Sequence, residues 1–218
     1  MAWDVERTKR LLLDAATAEF SEHGLAGARI DRIASNAGVN KERIYQYFGK
    51  KDELFATVLS TQLRSTMDAV PMTGEGPAAA GDYAGRLFDH HVAGATIPRL
   101  VFWEGLEGGE SAAADAARAE YHRAKVEGFQ RLLPGLDRRQ AAELLLTVVT
   151  LVNAWPVLGH LDELLVGTDD APAARRGARR AAIVQTIELL ARAAQPEPPA
   201  AGRRSGDRRS LRSREVQG

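Results

Sequence analysis

Lys41, Arg43, Tyr45, Gln46 and Tyr47 stand in one short stretch directly after Gly38, Val39 and Asn40. Lysine and arginine supply charged donors for phosphate oxygens. Tyrosine supplies a hydroxyl and a stacking face, and glutamine offers the paired donor and acceptor that match a base edge. The chemistry open to this set is recognition of double-stranded DNA. A second set, His90, His91, Glu104 and His122, carries groups able to ligate a metal or move a proton. Its spacing argues against both, because adjacent His90 and His91 diverge by about 100° on a helix. No His-Glu-x-x-His, Gly-x-Ser-x-Gly, phosphate loop or dinucleotide fingerprint occurs. A helical enzyme or metal-binding protein built on those four residues is the alternative reading. Neither a cofactor nor a metal is expected, and the lack of cysteine removes disulfides, thiolate ligands and a catalytic thiol.

The first set needs a scaffold. Ile30, Ile33, Ala34 and Ala37 recur at i, i+3, i+4 and i+7, which lines one face of a helix. Gly38 tolerates the left-handed backbone of a sharp helix exit, and the Asn40 amide can cap the first turn of the next helix. Ile44 and Phe48 share a face with Val39, which leaves Lys41, Arg43, Tyr45, Gln46 and Tyr47 on the opposite arc. An ordinary corner between helices with a solvated charged face has the same turn, so context must decide. An amphipathic helix carrying Leu12, Ala15, Ala16 and Phe20 precedes the corner and ends near Gly24. After it, Gly49, Lys50, Lys51, Asp52 and Glu53 place carboxylates in the first turn of a further helix, where the dipole favours them.

With those elements in place, the chain resembles the TetR family of transcriptional regulators over its first 55 residues or so. The matching residues are Ala15 and Ala16 with Phe20 and Gly24, Ile33-Ala34, Ala37-Gly38-Val39, Ile44-Tyr45, Tyr47-Phe48, Lys51-Asp52 and Leu54-Phe55. The family usually opens its second helix with Thr or Ser, whereas this chain has Ala28-Arg29. Arginine cannot cap that terminus, so Arg29 is expected to reach a DNA phosphate. Lys51, Tyr45 and Tyr47 are read as further phosphate contacts, and Arg43 and Gln46 as base contacts. The resemblance implies a homodimer that binds a palindromic operator, and a C-terminal domain in which a small molecule binds and releases the DNA.

At 218 residues with 44% hydrophobic content, the chain is long enough for a packed core. Its 29 Lys and Arg balance 29 Asp and Glu. Residues 1–51 carry nine basic and seven acidic side chains, a surplus of two, so DNA affinity is expected to depend on oriented contacts and dimerisation. The run Leu11 to Leu13 is too short for a signal peptide. Leu144 to Leu158 contains Thr147, Thr150, Asn153 and Pro156 and falls short of the ~20 apolar residues that span a bilayer. The expected location is the cytoplasm.

No strand pattern or repeat is visible, which gives an all-α chain. Residues 1–50 are expected to form the helix-turn-helix domain, 51–195 a helical ligand-binding and dimerisation domain, and 196–218 a disordered tail rich in Pro, Gly, Ser and Arg. Helices are expected from about Lys51 to Ala69, near Asp82 to Ala93, after Pro98, from about Ser111 to Leu133, from Asp137 to about Leu158, and from Pro172 to Ala194. Phe88, His91, Phe102, Trp103, Glu104, Tyr121 and Trp155 combine apolar walls with polar tips and are candidates for the ligand pocket. Core packing accounts for any one of them equally well. Leu151 and Leu158, on an almost wholly apolar helix, and Ile183, Ile187 and Leu190, striped along the last one, are the candidate dimer interface.

Overall fold

The computed structural model describes residues 2–107 and 112–195, with side chains from residue 4 onward and not for residues 112–117. The tail expected from 196 and the helix start expected at Ser111 lie outside the described residues. Among the described residues there are ten helices and no strand.

The first four helices are α1 (Ala2–Gly27), α2 (Ile30–Ala37), α3 (Glu42–Phe48) and α4 (Lys51–Ala69). They close around Leu12, Ala16, Phe20, Ile33, Ile44 and Leu54, all fully buried, and the Phe20 and Phe55 rings meet edge to face at 5.1 Å. The same cluster continues through Val58, Leu59 and Leu63 to Ile97, Leu100 and Tyr121. Packing therefore runs without a break from the head through α4 into the rest of the molecule, past the boundary expected at residue 50.

The remaining helices are α5 (Pro77–Ala93), α6 (Thr96–Glu107), α7 (Ala112–Leu132), α8 (Arg138–Val157), α9 (Gly159–Val166) and α10 (Pro172–Ala194). Asp137 and Gln140 form the capping box at α8 that their spacing suggested, with a Gln140 N to Asp137 Oδ1 bond of 2.8 Å. By composition α8 is long and apolar enough to cross a membrane, yet Ala141, Leu144, Leu145, Val148 and Val152 bury one face of it in the second core. Several helix expectations change. α6 begins at Thr96, so Pro98 lies in its first turn and not before it. α5 starts at Pro77, where proline suits a first turn, and not at Asp82. α9 has no counterpart in the sequence reading, which placed no helix between about Leu158 and Pro172.

One correction concerns association. Ile183 and Ile187 are buried in this chain's own core, so they cannot form the contact surface of a dimer. Their stripe faces α5, whose Gly81 and Gly85 let α10 approach closely. A Cβ at Gly81 would lie 2.6 Å from Glu188 Cγ, and one at Gly85 3.0 Å from Val184 Cγ2. Leu158 and Leu190 are exposed, and Leu151 is half-buried.

Candidate nucleic-acid interface and effector cavity

The turn between α2 and α3 is built as its residues require. Gly38 has φ 64° and ψ 30°, and its N–H and that of Val39 return to Ser35 O and Ala34 O at 3.1 and 3.0 Å. No atom would crowd a Cβ at Gly38, so the left-handed backbone alone selects glycine there. Asn40 Oδ1 accepts from Glu42 N at 3.4 Å and caps α3. The opposite end of α2 lacks a side-chain cap from Arg29. Glu19, buried on α1, supplies the acceptor instead: its Oε1 takes the Arg29 backbone N–H at 2.7 Å and Arg32 Nε at 2.8 Å. Burial by itself would raise the Glu19 carboxyl, but the Arg32 and Arg29 bonds and the nearby Arg32 and His23 charges outweigh it and hold it below its usual range. Nothing in α2 itself pointed to Glu19, because the partner lies ten residues upstream.

Ile44 is buried, and Lys41, Arg43, Tyr45 and Gln46 are exposed on the outer arc with Tyr47 half-buried. Arg43 Nη1 donates to Gln46 Oε1 at 3.0 Å and to Tyr47 OH at 3.4 Å, which holds the three groups as one array. Lys9, unremarked in the sequence, sits over the Tyr47 ring at 5.8 Å. Lys41 Nζ rests on Asp31 Oδ1 at 3.2 Å, and that hydrogen bond raises the Lys41 pKa. Arg29 is exposed beside α2. Lys51 is turned differently from the expectation: its Nζ donates to Ala26 O and Ala28 O, both at 3.3 Å, so it ties the end of α1 to α4 and is not directed outward to a phosphate. Carbonyls left unpaired where a helix ends attract a nearby ammonium.

α6 joins this head to the larger unit. Gly24 interrupts α1 with φ 69° and ψ −175°, and the Trp103 ring packs so closely that a Cβ there would meet it at 2.8 Å. Glu107 Oε2 accepts from Leu25 N at 2.6 Å and Ala26 N at 2.9 Å where the helix resumes. Trp103 and Phe102 line a surface groove with Ser21, Glu22 and Arg99.

A separate cavity of about 250 Å³ opens between α4, α5, α6, α7 and α8. Of the pocket candidates, His91, Glu104 and Tyr121 line it. Phe88 and Trp155 do not: their rings, 6.1 Å apart, pack in the second core, where Arg175 also lies over Trp155 at 4.8 Å. The sequence reading missed Arg118, Lys125 and Asn153 on the wall. Glu104 is engaged by both terminal nitrogens of Arg118, with Nη2 at 2.6 Å. His91 is pushed down to about 3 by burial and by the Lys125 and His90 charges, so it is neutral near pH 7. His90 lies 3.4 Å from Thr66 Oγ1, outside the cavity wall. Among the described residues no three His, Asp or Glu side chains group to hold a metal.

A helix-turn-helix head carried on an all-α body with an internal cavity defines the class as a helical DNA-binding regulator. The profile of bacterial regulatory proteins of the tetR family matches residues 12–58, and that of tetracyclin repressor-like C-terminal domains matches residues 80–188. The HTH-type transcriptional repressor SCO4008 of Streptomyces coelicolor is 40% identical over 175 residues, covering 78% of this chain and 89% of that protein. The repressor NicS of Pseudomonas putida is 43% identical over 58 residues, 27% of each chain. The crystal structure of SCO4942 from Streptomyces coelicolor superposes with a TM-score of 0.61 at 31% identity, covering 88% of this chain and 99% of that one. This chain belongs to the TetR family of transcriptional regulators.

Proposed function

We propose that the protein is a cytoplasmic repressor that binds a palindromic operator as a homodimer and leaves it when a small molecule fills the cavity. The repressor SCO4008, similar over most of its length, supports the sign of regulation. The observation that carries the coupling is the position of α6. Its Glu104 sits in the cavity wall, and three residues on Glu107 holds the backbone where α1 resumes into the head. A ligand that favours another setting of α6 therefore favours another setting of the head, and coupling of about 1–3 kcal/mol gives about 5–150-fold release.

In this reading Arg43 and Gln46 meet base edges, and Arg29, Asn40, Lys41, Tyr45 and Tyr47 meet phosphates or position α3. The dimer is supported by apolar side chains left exposed among the described residues. Leu161, Leu164, Leu165 and Val166 on α9, Leu158 before it and Leu189 and Leu190 on α10 are all exposed. Selection of binding sites from random duplexes tests the reading. The expected product is an inverted repeat whose half-sites are about 34–36 Å apart or somewhat more. A folded protein that recovers no palindrome would overturn it.

A further inference from the structure

Several polar groups in the cavity wall have no partner among the described residues. Both ring nitrogens of His91, the Tyr121 hydroxyl and Asn153 Oδ1 are buried and without a hydrogen bond of good geometry, although Asn153 stands near enough to His91 to oppose the fall in its pKa. Lys125 is 8% exposed, one turn after Tyr121 on α7, with its ammonium 5.8 Å from the Tyr121 ring. No carboxylate among the described wall residues offsets it: Glu104 is taken by Arg118 in a two-point pair. Leu63, Ile97, Val101, Leu145 and Val149 make the rest of the lining apolar.

Resting on the reading of this cavity as an effector site, we propose that it takes an amphipathic anion, an apolar body bearing a carboxylate or comparable oxyanion whose head is held by Lys125, Tyr121 and His91. The charge of the wall selects the sign. Glu104 and Arg118 cancel, which leaves the Lys125 ammonium as the one unopposed charge among the described wall residues. A buried charge is costly until it is paired, so a cationic ligand adds to the cost and a neutral one leaves it standing. Only an anion removes it. Tyr121 and neutral His91 each bring an O–H or N–H donor to the same oxyanion, and the Asn153 amide both donates and accepts. The depressed pKa of Lys125, about 8 through burial, is the sign of an ammonium held without a counter-charge.

The test is calorimetric titration of the full-length protein at pH 7 with octanoate, 1-octanol and octylammonium, which share one tail and differ in head charge. At about 30 Å³ per water the cavity holds about eight waters, a size in keeping with such probes. Octanoate is expected to bind at least about tenfold more tightly than either of the others, in line with a charge-assisted hydrogen bond. Lys125→Met is expected to bring octanoate down to the level of octanol, and Tyr121→Phe to weaken it severalfold. If Lys125→Met does not fold, the head-group ranking on the native protein and Tyr121→Phe decide. Equal binding of octanol, tighter binding of octylammonium, or no binding of any probe overturns the proposal. Operator affinity is measured in parallel: octanoate that binds through Lys125 without altering DNA affinity upholds the ligand class and sinks the repressor-release reading.

Discussion

Glu19 supplies from α1 what the sequence of α2 lacks, an acceptor for the first N–H groups of that helix. Glu19→Gln removes the charge while keeping the shape and is expected to cost about 1–2 kcal/mol, read by urea unfolding. Because its carboxyl lies below the usual value, this stability is present above about pH 4.5 and is lost as pH falls further. His91 works in a higher window. The folded ring titrates near 3 and the unfolded one near 6.5, so the unfolded chain takes up a proton first and stability drops from about pH 6.5 downward. Each pH unit there costs up to about 1.4 kcal/mol per such group. His122, also lowered by burial and by Arg118 and Lys125, adds to the same limb. Melting curves at pH 7 and pH 5 are expected to diverge less for His91→Gln than for the native protein. At the DNA face, Asp31 holds Lys41 and would also repel phosphate. Asp31→Asn is expected to tighten operator binding and to steepen its salt dependence by about one unit. Unchanged affinity would place Lys41 away from the backbone of the DNA.

At the scale of elements, two glycines with positive φ answer different demands. Gly38 needs only the left-handed backbone of the turn, which asparagine also adopts, so Gly38→Asn is expected to cost about 1 kcal/mol or less. Gly24 combines φ 69° and ψ −175°, a region that side chains avoid, with the Trp103 ring against its Cα. Gly24→Asn is expected to cost about 1–3 kcal/mol and to shift Trp103 fluorescence, since the ring must leave its seat on α1. Equal effects at the two sites would mean that α6 does not dock on the kink. The same contact makes Trp103 a fluorescence probe. It reports the join between α6 and α1, while its neighbour Glu104 lines the cavity.

At the scale of the whole molecule, association turns on which apolar surface remains after the chain has folded. Ile187 is 0% exposed, whereas Leu164 and Leu165 on α9 are 70% and 76% exposed. Ile187→Glu is therefore expected to unfold the C-terminal unit. Leu164→Glu with Leu165→Glu is expected to leave the melting of the single chain intact, yield monomers by sedimentation, and weaken operator binding severely, since a dimer engages both half-sites at once. A double variant that stays dimeric would move the interface off α9.

The local features were determined by the sequence alone. The stripe Ile30, Ile33, Ala34 and Ala37, the Gly38 exit and the Asn40 cap specify a helix-turn-helix because each depends on contacts within a few residues, and the reading arc of α3 follows from helical periodicity. Helix α10 ran from Pro172 to Ala194 as its pattern indicated, for the same reason. What depended on partners distant in the chain had to wait for the tertiary structure. Periodicity showed that Ile183 and Ile187 need cover, but only packing revealed that α5, through Gly81 and Gly85, provides it within the chain. A lysine such as Lys51 or Lys125 reads alike as solvated, paired or buried, and the fold alone turned one onto the carbonyls of α1 and the other into a cavity. Aromatic side chains fill cores and pockets by the same hydrophobic gain, so Phe88 and Trp155 could be told from Tyr121 only once the helices had been placed around the space they leave.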